Sequence, residues 1–196
     1  MRIRLRFFLF LEGENTMNDL GTRRIETERL ILRKFDISDA PGMFYGWSSD
    51  ENVTKYVSWN AHTDIAETVD IIENWIKRYN ANSYNWVVEL KNTHELIGNI
   101  SAISVSKKHH NCEIGYCYGS KYWNQGYATE ALKAVIHYLL YDCEMHIVEA
   151  KHHSINPASG RVMEKAGMIK EAVLTERRYH AETNSYCDLV CYYITK

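Results

Sequence analysis

The residues best placed to do chemistry lie in the run Tyr122-Trp123-Asn124-Gln125-Gly126-Tyr127-Ala128-Thr129-Glu130-Ala131-Leu132, where a glycine turn opens a strongly helical stretch. The first N–H groups of a helix have no partner inside it, and the macrodipole adds partial positive charge at the same end. Gly126 and Ala128 keep bulk away from the turn, so a phosphate can approach the backbone. The chemistry on offer is therefore binding of a phosphate-bearing ligand without any charged side chain. No Walker Lys-Ser/Thr follows Gly126 and no Rossmann triple glycine is present, which sets this turn apart from the generic nucleotide-binding motifs.

Other reactive residue types form weaker patterns. The pairs His109-His110 and His152-His153 lack any standard metal-ligand spacing, and no metal is expected. The five cysteines, Cys112, Cys117, Cys143, Cys187 and Cys191, include no CxxC pair, so neither a zinc ribbon nor a redox dithiol is indicated. Reduced, buried thiols in a cytoplasmic protein are the expectation.

These residues need elements to hold them. Arg29 to Phe35 alternates and reads as a strand. Asp36-Ile37-Ser38-Asp39 supplies helix-start residues for a run to Trp47, and a short helix follows around residues 50–57. Thr63-Asp64-Ile65-Ala66-Glu67 looks like a capped helix start, with Ile65, Val69, Ile72 and Ile76 at helical spacing. Strands over residues 84–90, 96–106 and 112–118 form an antiparallel meander. A helix over 126–141, a strand over 147–152, a helix from Ala158 closed by Gly167, and strands over 170–178 and 186–194 complete the order. A strand–helix–strand crossover makes 112–118 and 147–152 a parallel pair in an otherwise antiparallel sheet. The class is α/β (α+β), with helices on both faces.

Three segments together resemble the GCN5-related N-acetyltransferase (GNAT) superfamily, nearest its RimJ/RimL-type ribosomal-protein N-acetyltransferase branch. They are Thr27-Glu28-Arg29-Leu30-Ile31-Leu32-Arg33; Glu113-Ile114-Gly115-Tyr116 with Trp123 to Ala131; and Asn156-Pro157-Ala158-Ser159-Gly160-Arg161-Val162-Met163-Glu164-Lys165-Ala166-Gly167-Met168. The resemblance runs from about residue 22 to the end. It implies a seven-stranded sheet in which the parallel pair splays, and acetyl-CoA as co-substrate without a metal. Main-chain groups of Tyr116 and Tyr118 would then meet the pantetheine. The N–H groups of Gln125, Gly126, Tyr127, Ala128 and Thr129 would seat the pyrophosphate, with Asn156 and Ser159 beside the pantetheine and Arg161 and Lys165 near the CoA phosphates. Trp123 stands where the superfamily pattern has Gln or Arg.

The same resemblance implies direct acetyl transfer to an amine in a ternary complex. Glu113 is the candidate base, its alternative being a surface strand residue. The tyrosine that many members use as general acid is replaced by Met163, so Ser159 is the candidate for protonating the CoA sulfur. Its alternative is a first-turn residue that helps the cap. The acceptor expected first is a protein N-terminal α-amine; a small-molecule amine and a non-catalytic acetyl-CoA sensor are the alternatives. Residues 36–82 are expected to recognise it.

Composition bounds these readings. In 196 residues, 45% are hydrophobic and 24% charged, as expected of one globular domain over residues 20–196. A net charge of -2 gives no electrostatic footprint for nucleic acid, and no apolar run approaches a membrane span. A homodimer is left open. Residues 1–16 read as a translated leader or disordered extension, with Met17 as the natural start, because Glu12-Gly13-Glu14 can encode a ribosome-binding sequence.

Overall fold

Alternating apolar strands build one eight-stranded sheet in the computed structural model, which describes residues 17–180 and 184–196. The leader expected over residues 1–16 lies outside the described residues. The strands are β1 Ile25–Glu26, β2 Leu30–Arg33, β3 Asn85–Leu90, β4 Leu96–Ser106, β5 Asn111–Tyr118, β6 Ile147–His153, β7 Ile169–His180 and β8 Ser185–Thr195. Their order across the sheet is β1-β2-β3-β4-β5-β6-β8-β7. Every neighbouring pair is antiparallel except β5–β6, which is parallel. The strand beyond the expected seven is β1, too short to show a period of its own and held by pairing Ile25 with Leu32.

Helices cover both faces. One face carries α1 Ala40–Met43, α2 Glu51–Thr54 and α3 Ile65–Arg78; the other carries α4 Tyr127–His137 and α5 Pro157–Lys165. The start of α3 is a capping box: Asp64 accepts from Ala66 N–H while Glu67 reaches back to the Asp64 N–H. Lys77 and Arg78 complement the dipole at its last turn. Removing the Asp64 side chain would cost about 1 kcal/mol.

The alternation of β5 assigns its residues to two cores. Cys112, Ile114 and Tyr118 pack with Ala131, Leu132 and Val135 of α4, whereas Cys117 packs with Trp47, Ile72 and Val87 beneath α1 and α3. Burying a side chain such as Leu132 stabilises by about 1.5–3 kcal/mol. The guanidinium of Arg33 fastens the early helices to the sheet. It donates to both oxygens of Asp39, at 2.8 and 2.9 Å, and to Glu89 at 2.8 Å.

Candidate functional site: a cleft through the splayed sheet

The β5–β6 ladder runs from Asn111↔Ile147 to Ile114↔Ala150 and stops there. Beyond it the strands separate. The Gly119 N–H donates to the Ile97 carbonyl, which makes Gly98↔Tyr118 a non-hydrogen-bonded pair. By alternation Ile100↔Tyr116 is another. Tyr116 and Tyr118 therefore direct their own N–H and C=O groups away from β4 and into the gap. The Tyr118 carbonyl is already taken by the Trp123 indole N–H at 2.8 Å. Trp123, a departure from the superfamily pattern, thus ties the loop before α4 to the splayed strand.

Gly126 is the N-cap of α4 with φ of +83°, left-handed backbone that favours glycine. Among the described residues, no acceptor serves the N–H groups of Gly126, Tyr127, Ala128 or Thr129, and these four residues line one cleft. Gln125 stands outside it. Its side chain donates to the Lys121 carbonyl, and its own carbonyl accepts from Arg29. Arg29 also donates to Glu130 at 2.7 Å and lies over the Tyr127 ring. Thr27 donates to the same Glu130 carboxylate at 2.6 Å. Burial opposes ionisation of Glu130, but hydrogen bonds from Thr27 and Arg29 outweigh it and hold its pKa below the ordinary 4.5. This clamp fixes the first turn of α4 against β2.

Asn156 caps α5, its side-chain oxygen accepting from the Ser159 N–H at 3.4 Å. Ser159 Oγ lies 2.9 Å from the Tyr116 hydroxyl, which also donates to the Ser159 carbonyl at 3.0 Å. Burial keeps the Tyr116 phenol far above its ordinary pKa, so it stays protonated. A Cβ on Gly160 would stand 2.6 Å from His152 Nε2, so the absence of a side chain lets α5 seat on β6. Arg161 and Lys165 are exposed on the same helix and line the cleft.

On the opposite face of the sheet, Glu113 Oε2 accepts from Lys151 Nζ at 2.6 Å. That bond raises the Lys151 pKa and keeps it charged, against the opposing effect of burial. Glu113 Oε1 has no partner among the described residues. Burial pushes the Cys112 and Cys117 thiols up to about 12, so neither is an activated thiolate. Tyr56, Trp59 and Trp75 supply aromatic walls, from the early segment expected to recognise the acceptor. His62 bonds Thr68 at 2.7 Å and packs on the Trp59 ring, holding that wall in place. Both sides belong to one cleft of about 1070 Å³ passing through the gap between β5 and β6.

Partners distant in sequence account for what the motifs missed: Arg29 as a clamp, the Trp123 indole, the Tyr116 hydroxyl and Lys151. One signal was available. Asn85 opens the buried strand β3 just before the apolar run Trp86-Val87-Val88, and a buried amide beside such a run marks either a hydrogen-bond network or a ligand.

A mixed sheet with a splayed parallel pair, beside a helix start rich in free N–H groups, defines an acyltransferase that takes its acyl group from coenzyme A. The acetyltransferase (GNAT) domain model matches residues 29–169. The uncharacterised N-acetyltransferase YoaA of Bacillus subtilis is 32% identical over 88% of this chain and 96% of its own length. The chain therefore belongs to the GNAT acetyltransferase family and is an acetyl-CoA-dependent N-acetyltransferase. A GNAT acetyltransferase from Bacillus anthracis superposes with a TM-score of 0.77 at 31% identity, covering 88% of this chain and 98% of that one. RimL, a ribosomal L7/L12 α-N-protein acetyltransferase solved with coenzyme A, shares the fold at a TM-score of 0.76 and 19% identity, covering 88% of this chain and 98% of its own.

Proposed function

We propose that this enzyme acetylates a primary α-amine by direct attack on acetyl-CoA in a ternary complex. The observation that carries the reading is the single cleft through the sheet, with the N–H-rich turn and Ser159 on one side and Glu113 on the other. The N–H groups of Gly126 to Thr129 fit a pyrophosphate, and the open edge of β5 at Tyr116 and Tyr118 fits the amide-bearing pantetheine arm. Asn156 orients Ser159 beside that arm.

The chemistry then divides between the faces. Glu113 Oε1 takes a proton from the incoming ammonium, directly or through one water, and the neutral nitrogen attacks the thioester carbonyl. A main-chain N–H near Tyr118 steadies the oxyanion. The C–N bond forms, the C–S bond breaks, and Ser159 Oγ gives its proton to the departing thiolate while the Tyr116 hydroxyl turns its one proton from the Ser159 carbonyl to the serine oxygen. As the amide forms, the nitrogen's second proton returns to Ser159 Oγ and the proton held by Glu113 passes to solvent, so one proton is released per turnover.

An α-amine is common to a protein N-terminus, the acceptor type of RimL, and to free amino acids. Release of free CoA thiol should depend on an amine when the full chain is assayed with N-terminal peptides and small amines. Initial rates should give intersecting lines, as a ternary complex requires. Tight acetyl-CoA binding without amine-dependent release would instead mark a sensor and sink the catalytic reading; parallel lines would remove the direct attack.

A further inference from the structure

The acceptor side of the cleft has an unusual charge balance for a site that receives a cation. The pairing registers place its residues in rows on the α3 face. Asn85 pairs with Ser101, which pairs with Gly115 next to Glu113; across the gap, Lys151 and His153 alternate along β6 beside Cys191 and Leu189 of β8, and Arg178 of β7 pairs with Cys187 two residues further on. Glu113 and Lys151 neutralise each other. Beyond that pair the lining carries Arg78 and Arg178, and among the described residues no carboxylate pairs with either.

Uncharged polar groups on the same side await partners. Asn85 is 6% exposed and lines the cleft, yet among the described residues neither its Nδ2 nor its Oδ1 has a hydrogen-bond partner. Ser83 Oγ and His153 Nδ1 are likewise buried and unpartnered at the lining. Burial first, and then the neighbouring Arg178, keep the His153 pKa below its ordinary 6.5, so its ring is neutral near pH 7. A buried amide left unpaired is destabilising, a penalty that a bound ligand relieves. Tyr56, Trp59 and Trp75 provide flat apolar walls.

We propose that the acceptor is an amine that itself carries an anionic group on an apolar or aromatic body, the aromatic α-amino acids being its simplest members. The proposal rests on the acetyltransfer reading above and names the substrate class for that same site. The amine nitrogen approaches Glu113. The anion, a carboxylate or a phosphate, is met by Arg178 from the β7 side of Glu113, and the apolar body turns toward Tyr56, Trp59 and Trp75, where Asn85 on β3 offers a further polar contact. A polyamine has no counterpart here, because it requires carboxylates spaced along the pocket, and the only carboxylate lining the cleft among the described residues is Glu113.

The test compares kcat/KM for L-tryptophan, L-phenylalanine, tryptophanamide, tryptamine, O-phosphotyrosine, spermidine and an alanine-led peptide, read as CoA thiol release by the full chain. Tryptophan should exceed tryptophanamide and tryptamine by about tenfold, mainly through KM. The phosphotyrosine arm separates a carboxylate preference from a phosphate preference; a gain there supports the anion requirement equally. Arg178→Gln should collapse the ratio of tryptophan to tryptamine, and Arg178→Lys should restore part of it. Tryptamine, spermidine or the peptide matching tryptophan on the unaltered enzyme would overturn the proposal without touching the acetyltransfer reading. Acetyl-CoA binding with no release for any amine would overturn both.

Discussion

The two sides of the cleft are built from different materials. The side proposed for the donor is mostly backbone: N–H groups without a partner among the described residues at the start of α4, the open edge of β5 after Ile114, and two short side chains, Asn156 and Ser159. The side proposed for the acceptor is mostly side chains, with Glu113, Lys151, Arg178, Asn85, Tyr56, Trp59 and Trp75 all lining the cleft. Backbone donors serve any chain that makes the same turn, so they suit a ligand common to a whole family. Side chains change singly, so they suit the partner that differs between relatives. Membership of the GNAT family thus speaks for the donor and leaves the acceptor to the local chemistry.

Substitutions should separate the sides. The largest expected effect is on the acceptor side: Glu113→Gln should lower turnover by about 10²-fold while acetyl-CoA affinity, measured by calorimetry, stays within about twofold. Equal losses in both would place Glu113 in donor binding instead. On the donor side, Ala128→Glu puts a carboxylate at the pyrophosphate seat and should weaken acetyl-CoA binding by about thirtyfold, with circular dichroism unchanged. An undiminished affinity would move the phosphate elsewhere.

Smaller effects sharpen the boundary between the sides. Tyr116→Phe removes the hydroxyl that bonds Ser159 at both Oγ and the carbonyl and should reduce kcat by about fivefold, without raising the KM for acetyl-CoA. A rise in that KM alone would mean that the hydroxyl only supports packing. The smallest effect concerns stability. Burial holds the His62 pKa below the ordinary 6.5, opposed by the charge of Glu67. The unfolded chain therefore binds the extra proton first, and His62 contributes stability that is complete above pH 6.5 and lost as the pH falls through the folded value. The melting temperature should decline as the pH is lowered below 6.5, and His62→Gln should flatten that slope. An unaltered slope would assign it to His153, whose pKa is lowered in the same direction.

Legibility followed the distance between partners. The β4 strand, the capping box of α3 and the left-handed turn at Gly126 depend on residues a few positions apart, and the sequence alone places each of them. The links that assemble the site join distant residues: Lys151 to Glu113 across 38 positions, Tyr116 to Ser159 across 43, and Arg29 to Glu130 across 101. No local period encodes such pairs. Even β1 is stabilised by pairing with β2 rather than by a pattern of its own two residues.

By itself the sequence determined the strand and helix order, the glycine turn that opens α4 and the family, because caps, alternation and glycine conformations act over short spans of chain. Only the tertiary structure decided where β5 leaves β6, which side chains face the resulting gap, and that, among the described residues, the face carrying Glu113 holds arginines without a carboxylate partner and an unpartnered amide. Those features arise from sheet register and from packing between segments far apart in the chain. Neither is set until the whole sheet has formed.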